Sequence, residues 1–227
     1  MEEDINDSTI GDVAHSTVRG AINMIPVIGS LAAELFNMVV TPPLEKRRAE
    51  WMNDIAERLK SLEESGALNI SDLANNEQFT DTIIQATNFA MRTSEEDKLN
   101  AFKNAVINTA LIHSPDKTKS HIFLNQLNSF TAWHVTILKY LDDPREWFRI
   151  NNMVPQSLMM GSISSHLLTA FNQLQGNTDL LNIIWQDLSS AGFINTSDFS
   201  TMMSGDGTLS RRTTAIGREF LNFITES

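Results

Sequence analysis

The feature that most constrains this chain is an apolar window at residues 21–40, with the sequence AINMIPVIGSLAAELFNMVV. A continuous helix of that length would be about 30 Å long, which is enough to cross the hydrocarbon core of a bilayer. Pro26 and Gly29 predict a kink or a break into two helices. Because Glu34 near the centre would be costly in lipid, we do not expect a lone helix here to span a membrane constitutively.

The polar residues that matter most in this window are Asn23, Ser30, Glu34 and Asn37. Their spacing places them on one narrow face of a helix. Such a stripe could line a pore or a water path once several copies insert together into a membrane. The alternative is a helix wrapped by its own bundle, whose polar edge reaches solvent or a neighbouring chain. The pattern favours the bundle and leaves the membrane interpretation open.

A short basic flank, made of Lys46, Arg47 and Arg48, follows the apolar window. A cluster in this place could meet lipid phosphates. The acidic residues that can offset its charge through helical pairs are Glu45, Glu50, Asp54 and Glu57. The pattern therefore favours a solvated helix face over a lipid-binding cluster.

The charge balance limits the classes of partner. The chain has 227 residues, a formal net charge of -11 and a sequence pI of about 4.8. This balance disfavours nonspecific binding to nucleic acid and electrostatic recruitment to anionic lipid. Cysteine is absent, which excludes disulfides and thiolate metal sites and fits a reducing compartment. The acidic start MEEDINDS lacks the basic region of a signal peptide. We expect a cytoplasmic protein, peripheral to the inner membrane if the apolar window binds lipid.

Hydrophobic periodicity and capping residues predict a mostly helical chain. Asn76 is expected to cap one helix, and Gly66 is expected to end another. The predicted helices after the apolar window span 41–64, 76–90, 93–113, 121–127, 131–141, 162–175, 178–191 and 213–225. We expect an all-α protein in two parts, a helical bundle over 1–115 that includes the apolar helix 21–40 and a second module over 120–227.

The second module has the predicted element order of a winged helix, a three-helix core followed by a β-hairpin. The SGDG sequence at 204–207 predicts the turn of a hairpin over 193–210. The presumed recognition helix, 178–191, has no Lys or Arg and carries Asp179 and Asp187, which phosphates repel. We therefore expect this winged-helix-like module to bind protein or to dimerise rather than to read DNA.

No motif predicts catalysis, a cofactor or a metal site. The histidines do not share a metal-ligand spacing on one helix, and the chain has no GxSxG nucleophile elbow. The SGDG sequence is not a P-loop, because no Lys-Ser/Thr follows at the needed spacing. The five histidines are His15, His113, His121, His134 and His166. We expect a non-enzymatic protein with no cofactor and no metal.

Tryptophan and methionine are expected mainly in the core. Each tryptophan has apolar neighbours at helical spacing, which is typical of core or interface anchors rather than of a ligand cage. The tryptophans are Trp51, Trp133, Trp147 and Trp185. Among the methionines, Met159, Met160, Met202 and Met203 lie in weakly patterned segments and are expected to be partly exposed.

Two stretches of the chain resemble a known family when they are taken together. The first is IPVIGSLAAELFNMVVTPPLEKRRAEWMNDIAERL, and the second is the tail LLNIIWQDLSSAGFINTS with LSRRTTAIGREFLNFI. The combination resembles uncharacterised bacterial helical proteins of the Abi-alpha abortive-infection type. The resemblance implies an apolar N-terminal helix, a winged-helix-like tail and a cytoplasmic role in phage defence or stress. It transfers no catalytic residue.

Three functions are compatible with these patterns. The first is a defence or stress protein that perturbs the inner membrane through its apolar N-terminal helix. The second is a soluble, self-associating adaptor that binds other proteins and has no membrane activity, in which the same helix packs within or between subunits. The third and weakest is a winged-helix transcription regulator.

Overall fold

The computed structural model describes residues 45–111, 114–196 and 198–226. Most of them are helical, so the prediction of an all-α protein is confirmed. A turn of 3₁₀ helix lies at Asn172–Leu174. In chain order, the other elements are α1 Glu45–Glu64, α2 Ile70–Leu73, α3 Glu77–Ala90, α4 Glu96–Ala110, α5 Lys117–Ser129, α6 Ala132–Asp142, α7 Pro144–Ile150, β1 Met160–Gly161, α8 Ile163–Ala170, α9 Thr178–Ser190, β2 Met203–Ser204, α10 Gly205–Thr208 and α11 Ala215–Ile224.

The described residues divide into two compact units at the boundary between Thr80 and Asp81. In the described part of the first unit, α1 buries an apolar stripe. Gly66 ends this helix with a φ of +78°, a left-handed conformation that glycine adopts without the steric cost of a side chain. The buried residues of α1 include Trp51, Met52, Ile55, Ala56 and Leu59.

Aromatic rings form the centre of the second unit. Phe123 of α5 is fully buried, and its ring centroid lies 5.5 Å from that of Phe220 and 5.7 Å from that of Phe223, both on α11. Phe193 stacks on Phe220 with the ring centroids 4.5 Å apart. Helix α11 packs against α4, α5 and α6, so the last helix of the chain is part of this core.

Two asparagines of α4 donate hydrogen bonds to carbonyl groups at the end of α11. The last carbonyls of a helix have no partner within it and must be satisfied from outside. Asn108 Nδ2 donates to the carbonyl oxygens of Phe223, at 2.9 Å, and Thr225, at 2.8 Å. Asn104 Nδ2 donates to the carbonyl of Ile224 at 3.1 Å. These bonds tie α4 to α11, so the predicted division between 115 and 120 falls inside the second unit.

The two-stranded sheet differs from the predicted hairpin. Strands β1 and β2 pair antiparallel, with Met160 opposite Ser204, so the partner of β2 lies outside the segment 193–210. The SGDG sequence forms the start of α10, because Ser204 Oγ accepts the N–H of Gly207 at 3.1 Å and so caps a helical turn. The hairpin prediction for 193–210 is therefore wrong, and the winged-helix assignment that relied on it stays without support.

Candidate functional site

The predicted polar stripe, Asn23, Ser30, Glu34 and Asn37, lies outside the described residues, as does the whole apolar window. Its role therefore stays a prediction. Within the ranges that the structure describes, no helix is both long and apolar enough to cross a membrane.

The three residues of the basic flank differ in exposure. Lys46 is exposed, with its Nζ 3.9 Å from Glu50 Oε1, while Arg47 is half-buried. Arg48 is buried, and burial lowers the pKa of its guanidinium, against a weaker opposing effect of Glu45. An exposed ion pair such as Lys46–Glu50 contributes little to stability. The flank therefore does not present its three charges to solvent as one cluster.

His134 sits in a buried polar contact between α6 and α9. Its Nδ1 accepts the backbone N–H of Thr131 at 3.1 Å, so Nε2 carries the proton and donates to Asp187 Oδ2 at 3.1 Å. The ring stacks on Phe130, with the centroids 4.8 Å apart. Thr131 Oγ1 is 2.9 Å from Nδ1, so the row of Asp187, His134 and Thr131 resembles a catalytic triad in outline. However, Nδ1 is already engaged at the start of α6 by a main-chain donor, which is the arrangement of a helix cap.

Burial makes His134 an acid-sensitive point of the fold. Desolvation, helped by the charge of Lys98, lowers the pKa of His134 below its usual 6.5 against the raising effect of Asp187. As the pH falls below 6.5, His134 therefore becomes protonated in the unfolded chain before it does so in the folded chain. Because the unfolded chain binds more protons in this range, the free energy of unfolding falls as the pH falls. We expect urea unfolding at about pH 7.5 and about pH 5 to show a smaller acid loss in His134→Gln than in the wild type. If the free energy of unfolding falls equally in both proteins, His134 is not the source of the acid sensitivity.

The second buried histidine, His166, also has structural partners. Its Nε2 donates to the carbonyl of Gln156 at 2.9 Å, and its Nδ1 lies 2.7 Å from Thr208 Oγ1. Through His166 of α8, these two bonds connect the segment before β1 with helix α10. No group of three or more potential metal ligands occurs among the described residues.

An exposed apolar surface lies at the two-stranded sheet. We call Met159, Met160 and Met202 the methionine surface, and these side chains are 95%, 64% and 62% exposed. Met203 is half-buried, with its Sδ 3.0 Å from Arg212 Nη2. The prediction that these four methionines are partly exposed is confirmed.

Two of these methionines lie at neighbouring positions of the sheet region. Met160 pairs with Ser204, and Met202 directly precedes β2. Ion pairs are anchored close to this sheet. Arg145 Nη2 is 2.9 Å from Oδ1 of Asp206, which follows β2 by two residues.

A second feature is a half-open pocket beside α6 and α7, with a volume of about 390 Å³. We call it the aromatic pocket, because Trp133, Trp147 and Phe171 line it. The ring centroid of Phe171 is 5.8 Å from that of Trp133 and 5.2 Å from that of Trp147. The two tryptophans are half-buried, whereas Phe171 is buried. The remaining lining residues are Asp97, Ala132, Thr136, Asn151, Met153, Ala170 and Gln173.

A buried tyrosine lies behind the rings. Tyr140 is fully buried, with its ring centroid 5.5 Å from that of Phe171, and burial raises the pKa of its hydroxyl far above the usual range. Tyr140 is therefore neutral at physiological pH.

The sequence interpretation missed the aromatic pocket. Trp133 and Trp147 are 14 positions apart, and Phe171 lies in the turn after α8, so no single helical pattern contains all three. The available signal was that the two tryptophans flank the Asp142-Asp143-Pro144 break, which folds α7 back beside α6.

Comparison with known proteins adds no relative. No protein-family model, no curated protein and no solved structure matches this chain. The methionine surface and the aromatic pocket are the features that bear on function.

Proposed function

We propose that this protein acts by binding protein chains rather than by catalysis, and that the methionine surface packs against a second copy. The observation that supports this most is the exposure of Met159, Met160 and Met202, at 95%, 64% and 62%. Large apolar side chains grouped on a surface commonly mark an interaction site. Methionine suits such a site, because its unbranched, polarizable side chain adapts to the surface that covers it.

The charges near this surface are compatible with a second copy. A net charge of -11 would in general oppose self-association. Near β2, however, Arg145 pairs with Asp206, and one turn further along α7, Arg149 pairs with Glu146. These two arginines are each paired with an acid, which lowers the net charge that two copies of this surface would bring together.

A stable dimer needs about 800 Å² of buried surface on each partner, which is more than three methionines provide. We expect the contact to extend to Ile150 and Val154, which precede β1 and are 56% and 85% exposed. The same patch then faces itself across a two-fold axis, the usual arrangement of a homodimer.

Sedimentation equilibrium of the full chain tests the proposal. The monomer mass is 25.4 kDa, and we expect a species of twice that mass at about 100 µM protein, with dissociation on dilution. A single species of 25.4 kDa at the highest concentration would contradict self-association.

We further propose that the protein needs no cofactor and works in the cytoplasm. Its sequence offers no catalytic or metal-binding motif to support another reading, and the absence of cysteine fits a reducing compartment. A role in phage defence or stress rests on the resemblance to the Abi-alpha type alone. A winged-helix-like use of residues 120–227 as the interaction module also remains a proposal.

A second candidate function is perturbation of the inner membrane by the apolar window 21–40, supported by the helical spacing of its polar stripe. If it is correct, full-length protein should release dye from lipid vesicles, and a version lacking residues 1–40 should not. Release by both proteins, or by neither, would remove this candidate.

A further inference from the structure

The lining of the aromatic pocket includes three aromatic residues and one carboxylate, and no lysine, arginine or histidine. Asp97 is the one ionisable residue among the lining residues. It lies exposed in the first turn of α4 and makes no ion pair within the described parts of the chain. The faces of aromatic rings are the negative ends of a quadrupole, and they attract cations within about 6 Å of the ring centroid. The aromatic rings and the carboxylate of Asp97 therefore both favour a positively charged ligand.

We propose that this pocket binds an organic cation that carries a methylated ammonium group. The rings of Trp133, Trp147 and Phe171 cannot accept the strong hydrogen bonds that a bare ammonium gives up on leaving water. The acceptors in the lining are side-chain oxygens of Asp97, Thr136, Asn151 and Gln173. A quaternary ammonium has no N–H to satisfy, and its methyl groups pack against ring faces. Asp97 supplies the counter-charge at the edge of the pocket. The volume of about 390 Å³ lies within the range of small-molecule sites.

This inference does not rest on self-association, because none of the three residues of the methionine surface lines the pocket. Asn151 and Met153 of the pocket do lie between Ile150 and Val154, to which the dimer contact is expected to extend. A methylated ammonium group can come from two sources, a free small molecule such as choline or a trimethyllysine side chain in a protein. Both present a trimethylammonium group at the end of a short chain, so the rings and Asp97 would hold either one in the same way.

The test uses the four tryptophan indole N–H signals in an NMR spectrum of the full chain. Choline is titrated at constant ionic strength against 3,3-dimethyl-1-butanol, which has the same shape but no charge. We expect choline to shift the signals of Trp133 and Trp147. The signals of Trp51 and Trp185, which are buried at 3% and 1% exposure, should stay in place. The neutral analogue should bind about tenfold more weakly.

Matched variants separate the carboxylate from general charge effects. Asp97→Asn should weaken choline binding about tenfold. Asp179→Asn removes an acid from the first turn of α9, outside the pocket, and should leave the affinity unchanged. A short peptide with trimethyllysine that binds more tightly than choline would identify a protein source, and the reverse order would identify a free cation.

Three results would overturn the proposal. The first is equal binding of choline and its neutral analogue, which would make the pocket merely apolar. The second is an affinity that Asp97→Asn leaves unchanged. The third is the absence of any choline-dependent shift at Trp133 and Trp147. Because Asp97 is exposed, its replacement should preserve the fold, and the dispersion of the remaining NMR signals reports this directly.

Discussion

Replacing Gly217 with alanine is expected to lower the free energy of unfolding by about 3 kcal/mol. Gly217 is in the first turn of α11, where its N–H donates to Thr214 Oγ1 at 3.0 Å. A Cβ at this position would lie 2.2 Å from the carbonyl oxygen of Phe193 and 3.0 Å from its Cα. These are main-chain atoms, and the same carbonyl accepts the N–H of Thr214 at 2.9 Å. The helix must therefore move away, which disturbs the stacking of Phe193 on Phe220.

Urea unfolding followed by circular dichroism measures this loss. The matched control is Ile216→Ala, one residue earlier, where the side chain is 38% exposed and the change should cost less than about 1 kcal/mol. If Gly217→Ala unfolds at the same urea concentration as this control, the close approach of α11 to Phe193 is not as described.

The second large effect is expected on self-association. Replacing Met160 and Met202 together with aspartate should weaken the dimer by about 100-fold or more, because two carboxylates would be brought against their own copies across the two-fold axis. Both side chains are more than half exposed in the single chain. The monomer should therefore keep its stability, so the sedimentation change reports the interface rather than the fold.

Ile183→Asp is the control for this double variant. Ile183 is 56% exposed on α9, so the substitution makes the same kind of change elsewhere on the second unit. We expect this control to remain dimeric at concentrations that leave the double variant monomeric. If both proteins dissociate equally, net charge rather than the methionine surface governs association.

Much of the helical structure could be predicted from local signals. Asn76 caps α3, since its Oδ1 accepts the N–H of Phe79 at 3.0 Å, and Gly66 ends α1. These signals work because a cap or a left-handed glycine acts within one turn of its own helix. Of the predicted helix 93–113, the structure has Glu96–Ala110 in α4, which begins after Thr93 Oγ1 accepts the N–H of Glu95.

Long-range pairing could not be predicted in the same way. The four residues SGDG suit a hairpin turn and a helix cap about equally well. The segment forms the helix cap, and Gly205 N–H donates at 3.1 Å to the carbonyl of Met159, which lies 46 positions earlier in the chain. The contact between α4 and α11 is a long-range pairing of the same kind. Nothing in the sequence around 115–120 reveals that α4 packs against α11.

The two candidate sites differ in the same way in how far the sequence predicts them. The exposure of Met160 and Met202 could be predicted, because a methionine in a segment without helical periodicity has no core face to join. The aromatic pocket could not be predicted, because it depends on how α6 and α7 meet the turn that carries Phe171. The polar stripe of the apolar window lies outside the described residues, so its prediction stands untested.

The most direct test of self-association uses the absence of cysteine in this chain. Met160→Cys then carries the only thiol of the protein, near the expected two-fold axis, and Ile183→Cys is the matched exposed control. Each protein is treated with a short bis-maleimide and separated by mass. We expect rapid formation of a covalent dimer through position 160 and little through position 183. Equal, slow cross-linking of the two variants would contradict the proposed interface.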